Sequence, residues 1–258
     1  MIKAVFFDID GTLVSFKTHK LPDSTIRALD ELRKKGIKVF IATGRQFQSI
    51  NNLGTLAFDG YVTLNGGYCI VDGKAIYKHS IPDTDIESLL RYLEAEKPFS
   101  CGFVMEEGLF MNYKDVSANE LFRMLNFPEP PTRPLSEVKG KTVFQLIAFF
   151  TKEEEEHIMP VLPHCEATRW NPLFSDVVPV GSSKAIGIDK IIEHFGISLD
   201  ETMAFGDGGN DIAMIRHAGI GVAMGNAEDE VKEAADFVTS SVDEDGIYNA
   251  LKHFHIID

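Results

Sequence analysis

Two carboxylates stand two residues apart in the segment Asp8-Ile9-Asp10-Gly11-Thr12, directly after a short apolar run. A carboxylate is a weak base, so it stays ionised at neutral pH and needs no proton acceptor before it attacks; Asp8 suits a nucleophile toward phosphorus. Asp10 then suits the proton work. It would protonate the leaving oxygen and later deprotonate the hydrolytic water, with a pKa raised by the neighbouring carboxylate. If Asp10 still lies in the strand, both carboxylates point to one face. Gly11 lets the chain turn sharply beside a phosphate. For a lone Asp-x-Asp pair, a polar strand end with an Asp turn is the rival reading.

Three further segments supply what such a nucleophile lacks. Thr43 and the backbone around Gly44 can donate hydrogen bonds to phosphoryl oxygens. Arg45, next to them, fits either a phosphate or substrate contact or a structural ion pair. Lys184 opens a helix in GSSKAIGI, where an ammonium adds a point charge to a helix N-terminus; taken singly it reads as a solvent-facing lysine. Gly206-Asp207-Gly208-Gly209-Asn210-Asp211 is a loop of glycines, acids and an amide. Magnesium takes oxygen ligands, keeps waters and needs one or two carboxylates plus a substrate phosphate. Asp8, the Asp10 carbonyl and Asp207 would serve, and the spacing of a calcium-binding EF-hand loop is absent.

These segments need strand ends to carry them. Residues 3–9 read as a buried parallel strand, 22–35 as a helix opened by Pro22 and stopped by Gly36, and 37–45 as a second buried strand. This βαβ unit implies a parallel sheet, whose ligands lie beyond the carboxyl ends of its strands. The rhythm returns late, with a helix over 182–195, a strand and loop over 201–211, a helix over 213–218, a strand over 220–224, a helix near 228–235, a strand at 236–239 and a last helix near 244–254. Between the halves, helical patterns (85–96, 117–126, 152–159) mix with strand-like runs at 101–105, 108–113, 142–150, 164–170 and 174–180. They read as a second α/β subdomain inserted into the first, with 128–134 as a loop inside it. The acidic run at 152–157 reads as a solvated first turn of a helix.

The 258 residues are 44% hydrophobic and 25% charged, an ordinary globular balance. A formal net charge of −14 disfavours nucleic acid and anionic membrane as partners. It also means that a phosphate site needs local positive charge, which Mg²⁺ and Lys184 would supply. Cys69, Cys101 and Cys165 have no metal-ligand spacing and read as reduced thiols. Neither a signal peptide nor a membrane-spanning run is expected, which points to the cytoplasm.

In this order, the segments DIDGTL, ATGR, Asn65-Gly66, GDGGNDIAM, GVAMGNA and DEDGI resemble the haloacid dehalogenase superfamily of phosphatases, and within it the Cof-type branch. They span residues 6–247, all outside the insert. The resemblance implies an α/β fold: a Rossmann-like parallel sheet core with helices on both faces (residues 1–82 and 180–258), plus an inserted α/β cap domain (83–179) that closes over the site and chooses the leaving group. It implies Asp8 as nucleophile, Asp10 as general acid/base, and Asp8, the Asp10 carbonyl and Asp207 as Mg²⁺ ligands. Thr43, Gly44, Lys184 and Asn210 would hold phosphate, and Asp211 would support the metal or Lys184. Asn65 and Gly66, near the hinge, would touch substrate. Arg169, Trp170 and Asn171 are cap candidates for sugar contact, with core packing as the other reading of Trp170. One departure is Gln46, where many relatives carry proline; it bears on the start of a helix. The implied activity is Mg²⁺-dependent hydrolysis of small phosphomonoesters such as hexose phosphates, with no obligate protein partner. A sugar phosphomutase shares every core segment, and a non-catalytic phosphate-binding protein would be expected to lack the nucleophile, the acid or a metal ligand. A receiver-type phospho-acceptor domain is much shorter.

Overall fold

A computed structural model of the chain describes residues 1–95, 98–124 and 129–258. Residue 96 of the helix expected over 85–96, residues 125–126 of that over 117–126, and Pro128 of the expected loop lie outside the described residues, as does the side chain of Trp170. The chain forms two compact units, one of Met1–Lys78 with Ser183–Asp258 and one of His79–Ser182.

The first unit begins with β1 (Ala4–Phe7), α1 (Asp23–Lys34), β2 (Lys38–Ala42), β3 (Gly60–Thr63), β4 (Tyr68–Val71) and β5 (Lys74–Lys78). The second holds α2 (Asp83–Ala95), β6 (Cys101–Met105), β7 (Gly108–Met111), α3 (Val116–Met124), β8 (Val143–Ala148), α4 (Lys152–Ile158), β9 (Cys165–Asn171) and β10 (Phe174–Pro179). The first unit resumes with α5 (Lys184–Phe195), β11 (Thr202–Gly206), α6 (Ile212–His217), β12 (Ile220–Ala223), α7 (Asp229–Glu233), β13 (Phe237–Val238) and α8 (Gly246–His253).

The sheet of the first unit runs β13-β12-β11-β1-β2-β3-β4-β5. It is parallel from β13 to β3, and β4 and β5 extend it antiparallel. β1 is central because all four of its residues are apolar and buried, which suits a strand covered on both faces. Its side chains alternate: Val5 and Phe7 pack with α1 and α8, and Ala4 and Phe6 with α5, α6 and α7. Phe7 stacks on Phe205 of β11 at 5.1 Å and Phe6 on Phe40 of β2 at 4.8 Å, pinning the three strands whose ends carry the chemistry. At about 1.5–3 kcal/mol for each buried large side chain, this middle of the sheet is its best-secured part.

Two sequence expectations change. β1 ends at Phe7, so Asp10 is not in the strand and does not share a face with Asp8 by alternation. Instead Ile9 O accepts from both Leu13 N and Val14 N, and Gly11 N returns to Val14 O, which folds 9–14 into a tight turn with Gly11 at φ 87°. The sheet is also wider than the βαβ reading predicts, because β3, β4 and β5 were not legible. Gln46 opens only a 3-10 turn, Phe47–Ser49.

In the second unit an antiparallel sheet runs β7-β6-β8-β10-β9. α2 and α4 contribute Ile86, Leu89, Leu93 and Ile158 to one core, and α3 buries Leu121 and Phe122 in a smaller cluster with Phe149 and Phe174. The acidic run is the first turn of α4, where Thr151 and Glu154 form a reciprocal cap. All three cysteines are buried and free. No helix among the described residues is long and apolar enough to cross a membrane.

Candidate active site

Three adjacent parallel strands deliver side chains to one edge of the sheet: Asp8 follows β1, Thr43 follows β2 and Asp207 follows β11. Lys184 reaches them from the first residue of α5, whose N-terminus is capped by Ser183 Oγ accepting from Ile186 N. Its side chain is fully buried, and Nζ donates to Asp8 Oδ1 at 2.6 Å and to Asp211 Oδ1 at 2.5 Å. A buried ammonium is tolerated only with such partners. Burial alone would lower its pKa; Asp211 and Asp8 outweigh burial and hold it above the usual lysine range.

Asp211 also braces the loop. Its Oδ2 accepts from Asp207 N at 3.0 Å and Gly208 N at 2.9 Å. Asp207 is fixed from outside the loop, by Thr12 Oγ1 donating at 2.8 Å and Asn226 Nδ2 at 3.2 Å. Asn226 also donates to Gly11 O at 2.9 Å, so one amide ties the Asp8–Thr12 turn to the glycine loop. Thr12 and Asn226 were assigned no role from the sequence. Both lie inside the segments that carried the resemblance, and that is the only signal that marks them.

Oxygens of Asp8, Asp207 and Asp211 all lie within 4.8 Å of one another. Crowding shows in their proton affinities. Burial pushes Asp8 up to about 8, helped by Asp211 and Asp207 and opposed by Lys184, so the expectation that Asp8 stays ionised at neutral pH from its residue type alone does not hold at this buried position. Burial likewise pushes Asp207 up to about 7; Thr12 and Lys184 oppose it, while Asp211 and Asp10 add to it. A carboxylate cluster that holds its protons this tightly is short of positive charge. Its donors are all carboxylate oxygens, so the set fits a hard divalent cation.

Asp10 points elsewhere. Arg45 grips its carboxylate with Nε on Oδ2 at 2.6 Å and Nη2 on Oδ1 at 2.7 Å, and Nη1 donates to Ser49 O. Arg45 thus forms an ion pair with Asp10. Thr43 is buried, and its Oγ1 accepts from Arg45 N at 3.1 Å. Asn65 and Gly66 sit in the turn from β3 to β4, where Leu64, Asn65 and Gly66 all have positive φ, at 52°, 51° and 93°. Asn65 Oδ1 accepts from Asn210 Nδ2 at 3.0 Å, and the Asn65 amide group lies close against Gly44. Gly66 lies so near Ser183 that a Cβ there would stand 1.9 Å from its carbonyl oxygen. Thus Thr43, Gly44, Asn65, Gly66, Lys184 and Asn210 form one connected neighbourhood beside the carboxylates. Arg169 belongs to the second unit, and its guanidinium donates to Phe150 O, Pro172 O and Glu155 there.

The profile of a family described as haloacid dehalogenase-like hydrolase matches residues 5–251. Among solved structures, the subclass IIB sugar phosphatase BT4131 is 50% identical with a TM-score of 0.89, over 99% of this chain and 100% of that one. BT1666 from Bacteroides thetaiotaomicron, one of the phosphatases of the same superfamily, is 42% identical with a TM-score of 0.91, over 100% of this chain and 96% of that one. The Bacillus subtilis (strain 168) protein YcsE, a 5-amino-6-(5-phospho-D-ribitylamino)uracil phosphatase, is 30% identical over 262 residues, covering 98% of this chain and 96% of YcsE.

Proposed function

The chain belongs to the haloacid dehalogenase-like hydrolase family, and from that premise we propose that it is a magnesium-dependent phosphatase that hydrolyses small phosphomonoesters, hexose phosphates foremost, through an aspartyl-phosphate on Asp8. Phosphatase activity follows from the family and its phosphatase relatives; the metal, the intermediate and the sugar are our reading. The observation that carries it is the Asp8 carboxylate, with Oδ1 held by the buried Lys184 at 2.6 Å and Oδ2 without a hydrogen bond among the described residues.

In this reading Asp8 Oδ2 attacks phosphorus, the bond from phosphorus to the ester oxygen breaks, and Asp10 gives that oxygen a proton. Asp10 then takes a proton from water, the water oxygen attacks the same phosphorus, and the bond to Asp8 breaks, which restores the carboxylate. To do this Asp10 must give up at least one of its bonds to Arg45. Lys184, Thr43 and Asn210 would hold the phosphoryl oxygens, with Asp211 keeping Lys184 in place. Asp8, the Asp10 carbonyl and Asp207 would hold Mg²⁺, which offsets the charge of phosphate against carboxylate. The hexose reading draws on the sugar phosphatase BT4131. YcsE, named for a ribitylaminouracil phosphate, supports leaving-group choice by residues outside the phosphate site, and we assign a share of that choice to the His79–Ser182 unit.

The test is phosphate release from a panel of phosphomonoesters, with and without Mg²⁺, for wild type and Asp8→Asn. Release by wild type alone, dependent on Mg²⁺, is expected, with the variant still folded. Full turnover by Asp8→Asn would rule out the nucleophile assignment.

A further inference from the structure

Phosphate chemistry uses neither the loop after Thr12 nor the terminal DEDG segment, yet the two are bound together. Ser15 is buried, and its Oγ donates to Asp243 Oδ1 at 2.6 Å while accepting from Lys17 N at 3.0 Å and Thr18 N at 3.2 Å. Ser15 N donates to Lys20 O, Ser15 O accepts from His19 N, and Lys17 Nζ pairs with Asp243 Oδ2 at 2.9 Å. His19 takes a left-handed φ of 54° to close the loop. So many bonds would be spent on a tip that presents Phe16, a residue 63% exposed.

A lone exposed hydrophobic residue needs no explanation. Phe16 differs in where its ring reaches. A Cβ built on Gly11 would lie 2.6 Å from Phe16 Cε2 and 2.1 Å from Asp207 Oδ2, so the ring edge and a cluster carboxylate border the same point. Gly11 is the residue that leaves room for both. An apolar, flat face is thereby held rigidly at the rim of a site otherwise built from charges and amides. Phosphate gains nothing from such a face; the carbon skeleton attached to it does.

We infer that Phe16 is a specificity-determining residue that packs on the departing alcohol of the ester, that this alcohol carries a ring with an apolar face, and that the Ser15–Asp243 tie positions it. The inference rests on the phosphatase reading and narrows its substrate class.

The test is kcat/KM, with Mg²⁺, for glucose 6-phosphate and for the acyclic glycerol 3-phosphate, in wild type, Phe16→Ala, Phe16→Tyr and Ser15→Ala. Phe16→Ala should lower the ratio of ring ester to acyclic ester about tenfold, chiefly through KM. Phe16→Tyr should keep the ratio, and Ser15→Ala should lower it in the same direction by a smaller factor. An equal change for both esters in Phe16→Ala would overturn the inference while leaving the phosphatase reading intact, as would a stability loss with an unchanged ratio. If wild type releases phosphate from neither these nor any other ester, the phosphatase reading fails and the inference falls with it.

Discussion

Replacing Lys184 by methionine keeps the length of the side chain and leaves Asp8 and Asp211 facing each other without the cation between them. In the wild type the ammonium bonds both carboxylates, at 2.6 and 2.5 Å, and all three side chains are buried. Removing one partner of a buried ion pair costs about 3–5 kcal/mol when the remaining charge stays ionised. A carboxylate can instead take up a proton. Asp8 already holds its proton up to about 8, through burial first and then the nearby acids, and Lys184 is what pulls it down. Without Lys184 the folded state binds protons still more tightly, while in the unfolded chain an aspartate titrates near 3.8. A folded state that binds more protons than the unfolded one loses stability as pH rises. Below about pH 8 Asp8 keeps its proton in both folded proteins, so the deficit of Lys184→Met should be small near pH 5 and grow as pH rises through about 8. For a chain of this size one kcal/mol moves Tm by about 2–4 °C, so the full deficit is roughly 6–20 °C. Thermal unfolding of both proteins in a metal chelator, at several pH values, measures it. An equal deficit at pH 5 and pH 9, or none at either, would refute the view that Lys184 compensates the carboxylates.

Mg²⁺ must displace protons from Asp207, held up to about 7, and from Asp8, held up to about 8. Calorimetry should show apparent Mg²⁺ affinity rising from pH 6 to 9, by up to about a hundredfold per unit at the acid end, where both protons must leave. Asp207→Asn should weaken binding and flatten that rise, and a pH-independent wild-type affinity would count against the ligand set. Gly66→Ala combines a left-handed φ of 93° with a Cβ 1.9 Å from Ser183 O. Strain of about 1–2 kcal/mol and overpacking of about 1–3 kcal/mol should add in its denaturation curve. Gly36→Ala has a similar φ of 75° and open space around it, so it should show the strain alone; equal losses would mean that the contact with Ser183 is unimportant.

The alternation of apolar runs and helical spacing predicts β1, α1, β2 and everything from α5 onward, because those strands are short, largely apolar and mostly followed by polar residues. The five strand-like runs of the insert also appear, as β6 to β10. β3 to β5 escaped notice for a physical reason. Gly60-Tyr61-Val62-Thr63 opens on a glycine, Asn65-Gly66-Gly67 reads as a loop, and β5 is largely exposed, so only pairing with β2 through β3 makes strands of them. The acids stood out by type and spacing, and Lys184 only in company with the other segments. Their mutual geometry did not: which acid Arg45 would pair with was not legible, and Asp211 was left between the metal and Lys184. The amides of Asn226 and Asn210 bind across large sequence separations, which no local pattern records.

The central place of β1 has a consequence for how the chain assembles. Its partner on one side, β2, follows within a few dozen residues, whereas its partner on the other side, β11, begins only at Thr202. During synthesis the apolar edge of Ala4–Phe7 must wait, unpaired, while all of His79–Ser182 emerges and can collapse on its own core. Long-range parallel pairing of this kind is slow, and an open apolar edge invites pairing with other chains. A nascent chain stalled inside the insert would thus be a sticky one, and the nucleophile, the loop that faces it and the lysine between them would come together only in the last quarter of translation.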